Sequence, residues 1–348
     1  MALGWGIIST GRHADGHIAP AITAAPDTAL IGIYSRSQER AETFARKHNA
    51  RAAYDQLDDL LNDSRIDAVF ISSPNSLHSR HTIQSARAGK HVLTEKTMAT
   101  NLEDAVHMIH ACRDNGVKLG VGFHLRQHPF HIKASKLIAE GTIGPAVLAH
   151  AQLACGKRGQ VREPWRTGSS EWWTEADLVG GAFAMMANGV HLVDLLRFLI
   201  AENVVEVSAM TDGQTESQPL EQLAQLSLRF SGGAIANVVC GRRIPDSRND
   251  FTVYGVNGRL GGTNTTSIIP NAPSQLQLVS DSGDFTEEQG LGPLSNYVAE
   301  VEDFRQAIVQ DREPLASGID GLRVVEVTRA MVESAWNQRS VRIDPIKI

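Results

Sequence analysis

The stretch WGIISTGRHA, Trp5 to Ala14, decides how the chain is read. It opens as an apolar β-type run and then turns on Ser9-Thr10-Gly11-Arg12-His13-Ala14. That turn matches G-x-G-x-x-A except that serine holds the first glycine position. Such a turn brings backbone N–H groups and a helix N-terminus against a pyrophosphate with no side chain in the way, and Gly11 keeps the position of closest approach. An ordinary strand-to-helix connection would use similar residues. The placement, directly after a first strand and at the mouth of a helix, favours a dinucleotide. Ser9, Thr10, Gly11, Arg12 and His13 are the expected contacts.

Outward from that turn, the runs WGIIS, ALIGIYS, AVFISS, HVLTE and KLGVGF alternate with HIAPAITAA, SQERAETFARKH, LDDLLND, SRHTIQSARAG and NLEDAVHMIHACRDN, whose apolar residues recur near 3.6. This is the alternation of βαβ units, and it predicts an α/β fold with a doubly wound parallel sheet over residues 1–123 and ligands at the carboxyl ends of its strands. From residue 124 to 348 the pattern changes. AVLAHAQLA, VVEVSAMTD, LAQLSLRF, AIANVVCG and DFTVYGVNG are strand-like, and turn residues such as Ser231-Gly232-Gly233 and Asn257-Gly258 separate some of them. A second α/β domain with a large, mainly antiparallel open sheet is expected, interrupted by helical periodicity from Gly180 to Ala201 and again from Gly318 to Gln338.

The chain has 348 residues, is 42% apolar and carries a formal charge of −6, enough for two cores and without a basic stripe for nucleic acid or anionic membrane. Cys112, Cys155 and Cys240 show no metal or disulfide spacing, so no metal is expected. With no signal-like N-terminus and no apolar run of membrane length, a soluble cytoplasmic protein acting on a small molecule is expected.

The strand ends carry the chemistry. After the second strand the sequence reads Tyr34-Ser35-Arg36-Ser37, without the carboxylate that accepts from an NAD ribose. Ser35 and Arg36 suit a 2′-phosphate, so NADP is expected ahead of NAD, the alternative being that Arg36 is merely solvated. After the third come Ser73, Pro74, Asn75 and His78, placed to touch the cofactor or to cap the next helix. After the fourth come Glu95 and Lys96, whose side chains point to opposite faces of a strand, so that one can serve the cofactor and the other the substrate.

AGKHVLTEKTMA, residues 88–99, resembles the AGKHV-x-x-EKP segment of the Gfo/Idh/MocA oxidoreductases. The early glycine turn, Ser73-Pro74-Asn75 with His78, Gly180-Gly181 leading to Gly189-Val190-His191, and the closing EPLASGIDGLRVVEV follow in that family's order across essentially the whole chain. The resemblance implies a Rossmann domain followed by an α/β domain whose open sheet packs against a partner, giving a homo-dimer or homo-tetramer. It implies hydride transfer between nicotinamide C4 and a hydroxyl or carbonyl carbon of a sugar, cyclitol or related polyol. Glu95 would position the nicotinamide ribose, while Lys96 and His191 would be catalytic. Lysine suits contact with the reacting oxygen because desolvation lowers its proton affinity.

Three positions depart from the family pattern. Ser9 replaces a glycine, and Thr97 replaces proline after the lysine, which leaves open whether that peptide bond is cis. Ala187 stands where an Asp usually precedes the histidine by four residues. Asn188, about 100° further round a regular helix, is not an obvious substitute. Arg126 and His128 follow the last strand of the first domain, and Trp165, Arg166, Trp172 and Trp173 gather before the His191 helix. Arg126, Trp165, Arg166, Asn188, His191 and Lys96 are the expected substrate contacts. Two alternatives stay open: a dehydrogenase of aromatic-pathway dihydrodiols or hemiacetals, and a non-catalytic NADP-binding regulator.

Overall fold

The computed structural model describes residues 2–161, 166–213, 220–266 and 273–348. They form two compact units, one of Met1–His124, Arg166–Gly180 and Leu294–Leu322, the other of Leu125–Trp165, Gly181–Pro293 and Arg323–Ile348.

The first unit is built on a six-stranded, wholly parallel sheet of β1 (Leu3–Ile8), β2 (Thr28–Tyr34), β3 (Ala52–Tyr54), β4 (Ala68–Ile71), β5 (His91–Thr94) and β6 (Leu119–Val121). The order β3-β2-β1-β4-β5-β6 reverses between β1 and β4, the switch point at which such sheets bind ligands. A π turn (Ala14–Ile18) and helix α1 (Ala19–Ala24) follow β1, and α2 (Gln38–His48), α3 (Leu57–Asn62), α4 (His78–Arg87) and α5 (Leu102–Asp114) fill the other crossovers. Trp5, Ile7, Phe70 and Leu93 of the sheet bury against Ile18 and Ile22, and against Tyr297, Val301 and Phe304 from far along the chain. Trp5 and Phe304 meet at 5.7 Å between ring centroids. Fully burying side chains of this size contributes about 1.5–3 kcal/mol each, which fixes the late helix into the first core.

The second unit opens with α6 (Pro129–Ala139), whose cap is His128 with proline in the first turn. Its nine strands are β7 (Ala146–Ala154), β8 (Val204–Thr211), β9 (Leu223–Phe230), β10 (Ile235–Gly241), β11 (Phe251–Gly255), β12 (Gly258–Thr263), β13 (Ser274–Ser280), β14 (Phe285–Gln289) and β15 (Val341–Arg342). They lie in the order β14-β13-β12-β11-β7-β10-β9-β8-β15, antiparallel except for β7 with β10. Side chains alternate across it: Val207 and Ala209, Leu226 and Leu228, Ala236 and Val238 are buried, while Ser208, Met210, Ser227, Ile235 and Asn237 face outward. Helix α8 (Val190–Ile200), apolar nearly all round, lies within this unit's core. A four-residue helix, α7 (Ala176–Val179), belongs to the first unit, as does α9 (Ser295–Val309); α10 (Gly318–Asn337) begins in the first unit and runs on into the second.

Several elements differ from the sequence expectation. The edge strand β3 is three residues long, too short for a periodic signal, and glycine-rich β12 has a single β-branched residue, Thr263. The segment from His124 to Ala139, for which no element was expected, is a 3₁₀ turn followed by α6. Helix starts only at Met185, in a π turn (Met185–Gly189), not at Gly180. Gly180 and Gly181 take φ of 97° and 85°, incompatible with a helix start.

Candidate active site

At the β1 turn Ser9 takes φ of 118°, the conformation ordinarily left to glycine, and its Oγ accepts the Gly11 N–H at 3.2 Å. The Asp15 N–H then donates to the Gly11 carbonyl at 2.9 Å and starts the π turn. A Cβ at Gly11 would come no closer than 3.5 Å to Ser9 Oγ and 3.9 Å to the Ser72 carbonyl, an ordinary contact. The protein itself therefore does not require glycine here. What glycine keeps open is an approach from outside, which fits a dinucleotide pyrophosphate. At the end of β2, Ser35 is buried and Arg36 exposed.

The loop after β4 is tied down internally. Ser73 Oγ lies 2.9 Å from His81 Nδ1, Asn75 Nδ2 donates to the Val179 carbonyl at 3.0 Å, and Pro74 precedes a 3₁₀ turn. Burial lowers the His81 imidazole to about 4, so it is neutral beside Ser73 at physiological pH. His78 is fully buried, with Nδ1 and Nε2 each 2.8 Å from a carbonyl oxygen, of Thr97 and Ser73. Its ring thus joins this loop to the backbone just past Lys96. The Lys96–Thr97 bond is cis.

Glu95 and Lys96 end β5. Glu95 Oε1 lies 2.7 Å from His13 Nε2, and Oε2 accepts the Lys96 backbone N–H at 3.2 Å. The His13 contact is off the line of the ring N–H, a close approach rather than an aligned hydrogen bond. Burial alone would raise the Glu95 carboxyl, but its neighbours, His13 foremost and then Lys96 and His124, bring it down to about 2. The Lys96 ammonium is also lowered from its ordinary range, there by burial, which Glu95 opposes and Arg166 reinforces. Lys96 Nζ sits 5.8 Å from the centroid of Trp173, Arg166 sits 4.8 Å from the same indole, and Trp172 stacks on it at 4.6 Å.

Behind Glu95 is an aromatic cluster for which the sequence gave little warning. Tyr297 of α9 lies 4.7 Å from His17, 4.5 Å from His124 and 5.5 Å from His13. Burial pushes His124 down to about 3 and the Tyr297 phenol up. The spacing of His13 and His17, four apart, was the one visible hint; Tyr297 is some 280 residues on, and no periodicity links it to the turn.

In the second unit His191 is buried on α8, following the π turn that carries Ala187 and Asn188. The Asn188 amide donates to the carbonyls of Leu153 (3.1 Å) and Gly241 (3.4 Å). Arg126 pairs bidentately with Asp194, Nε to Oδ2 at 2.8 Å and Nη2 to Oδ1 at 2.7 Å, both side chains almost fully buried. Arg126 was expected at the substrate; here it is paired with Asp194, each neutralising the other. Trp165 lies outside the described residues. Glu221, not singled out in the sequence, accepts the N–H groups of Phe183 and Met185 at 2.9 Å each and so caps the segment leading to His191.

A doubly wound sheet with an open glycine turn after β1 and a lysine at the end of β5 is the arrangement of a dinucleotide-binding fold. Two family descriptions match: an oxidoreductase family with an NAD-binding Rossmann fold over residues 3–123, and a GFO/IDH/MocA C-terminal domain over 131–261. The chain belongs to the Gfo/Idh/MocA oxidoreductases, NAD(P)-binding enzymes of sugar-like and polyol substrates. It is 29% identical over 341 residues to the 1,5-anhydro-D-fructose reductase of Ensifer adhaerens, covering 98% of both chains. It is 27% identical over 340 residues to an NADP(+) D-xylose 1-dehydrogenase of Haloferax volcanii, covering 98% of this chain and 99% of that one. The crystal structure of aldose-aldose oxidoreductase from Caulobacter crescentus complexed with glycerol superposes with a TM-score of 0.83 at 27% identity, over 99% of this chain and 100% of that one. Among the described residues no helix is long and apolar enough to cross a membrane, and no metal-holding cluster of His, Cys, Asp and Glu occurs.

Glu221 yields a pH signature. Burial raises its carboxyl from the ordinary 4.5 to about 7, with the Met185 and Phe183 N–H groups opposing. A raised folded value favours the protonated form in the native state, so stability is full below pH 4.5 and falls as pH rises through about 7, by on the order of 3 kcal/mol. Denaturant unfolding at pH 5 and pH 8 is expected to show this decline in the wild type and a markedly smaller one in Glu221→Gln.

Proposed function

We propose that this protein is an NADP-preferring dehydrogenase or reductase that moves hydride between nicotinamide C4 and the carbon bearing a hydroxyl or carbonyl group of a sugar or polyol. The observation that carries this is Lys96, half-buried at the carboxyl end of β5, with its proton affinity lowered by burial and the indole of Trp173 beside it. A lysine in that state takes the substrate hydroxyl proton when the alcohol is oxidised and returns it on reduction; while charged it stabilises developing alkoxide. Holding the reacting carbon in position is much of the remaining work.

The turn Ser9 to His13 would hold the pyrophosphate, Ser35 and Arg36 the 2′-phosphate, and Glu95 the nicotinamide ribose. When bound, the cofactor supplies the hydride donor or acceptor. Trp172 and Trp173 offer aromatic faces suited to the C–H face of a sugar ring, and Arg166 is placed on the same indole. His191 is the second proton-handling group in this proposal, with Ala187 standing where the family pattern has an acid. The proposed division of labour keeps the cofactor on residues 1–123 and substrate binding and assembly on 124–348, with Arg166, Trp173 and Tyr297 of the later segment grouped into the first unit.

Calorimetric titration is expected to show tighter binding of NADPH than of NADH. Lys96→Ala is expected to abolish turnover across a panel of sugars and polyols while leaving cofactor affinity nearly unchanged. Undiminished turnover in Lys96→Ala would remove the mechanism, and tighter NADH binding would remove the cofactor preference.

We also propose that the open face of the second sheet, where Met210 and Val147 stand exposed on strands β8 and β7, joins copies of the chain as a dimer or tetramer. Light scattering of the purified protein is expected to return two or four chain masses, and Met210→Glu to shift it toward one. A monomer at micromolar concentration would contradict this.

A further inference from the structure

The contact between His13 and Glu95 joins two parts of the sheet that handle different ends of a dinucleotide. In a doubly wound sheet the pyrophosphate lies at the β1 turn, one mononucleotide half on the side of β1, β2 and β3 and the other on the side of β4, β5 and β6. His13 is the second residue after Gly11 and belongs to the pyrophosphate turn; Glu95 ends β5 and belongs to the other half. Their side chains meet at 2.7 Å.

We infer that His13 is a positioning residue that fixes the Glu95 carboxylate for the nicotinamide ribose, and so couples the phosphate turn to the reactive end of the cofactor. This rests on the cofactor reading proposed above.

Three features support the inference. The Glu95 carboxylate has one oxygen on the Lys96 N–H and the other on His13, so removing His13 leaves one oxygen without its closest partner. His13 is itself held: its ring lies 5.2 Å from His17 on its own helical segment and edge-on to Tyr297 of α9 at 5.5 Å, with both rings packed against each other. Gly122, at the end of β6, leaves the carboxylate its room, since a Cβ there would fall 3.0 Å from Oε1. The carboxylate is thus confined on the β6 side and anchored on the β1 side. The phosphate turn uses backbone groups for the pyrophosphate, which leaves the His13 side chain available for Glu95.

The test compares affinities for whole and truncated cofactors by calorimetry on the full chain. NADPH and NADH carry the nicotinamide ribose; adenosine 2′,5′-bisphosphate and AMP do not. Losing a hydrogen bond or close pair to a charged group costs about tenfold in affinity. His13→Ala is therefore expected to raise Kd about tenfold for the dinucleotide the wild type prefers, while the Kd of its truncated partner stays within about twofold. His13→Gln, whose amide can still donate to Glu95, is expected to recover most of the loss, and remains informative if His13→Ala does not fold. An unchanged dinucleotide Kd in these variants would overturn the inference. So would an equal loss for whole and truncated ligands, because His13 would then only shape the turn. A wild type that binds neither dinucleotide would instead remove the cofactor reading, and this inference with it.

Discussion

A carboxylate buried at the end of a parallel strand has to be compensated, and the organisation of the first unit follows from how Glu95 is. Desolvation of an ionised carboxylate is costly unless it is paired and hydrogen-bonded. Here the compensation comes from His13 on the β1 turn and the Lys96 backbone, with the Lys96 side chain adding charge and the His124 ring alongside, and together they outweigh burial and keep the group ionised. Those partners come from β1, β5 and the end of β6, and the ring of α9 that backs them arrives from residue 297. The sheet order places these strand ends side by side; pairing at Glu95 then draws the phosphate turn and the lysine into one constellation.

Lys96 is tuned by the same arrangement. Burial lowers its proton affinity, Glu95 limits the fall, and Arg166 deepens it. A lysine in water holds its proton tightly; burial makes this one readier to release it, which is the direction proton exchange with a substrate oxygen requires. Membership of the Gfo/Idh/MocA family shows an oxidoreductase of sugar-like substrates; the lowered lysine is what supports the proposed proton exchange.

The α/β class and both sheets were legible because their signals are local. WGIIS, AVFISS and HVLTE are short apolar runs bounded by helix periodicity, and β7 to β10 alternate cleanly. What was missed lacks a local signal: three-residue β3, glycine-rich β12, and α9, whose Tyr297, Val301 and Phe304 have helical spacing but acquire meaning only in the first core. For the site, the turn at Ser9 to His13 and the pair Glu95 and Lys96 could be named from their place at strand ends. That Arg126 closes on Asp194, that His78 bridges two carbonyls, and that His124 and Tyr297 stand behind Glu95 are contacts between distant segments. Thr97 and Ala187 marked departures from the family pattern, yet only the fold shows a π turn at 185–189 that alters the regular helical spacing assumed there.

The central claim is that Lys96 exchanges a proton with the substrate oxygen. The pH dependence of turnover in the polyol-oxidising direction tests it most directly, comparing the wild type with Lys96→Arg, which keeps a positive charge but does not deprotonate. The wild-type rate is expected to rise with pH and level off below the ordinary lysine range, and the arginine variant to be slow and without that rise. The same rising limb at comparable rates in Lys96→Arg would contradict the claim.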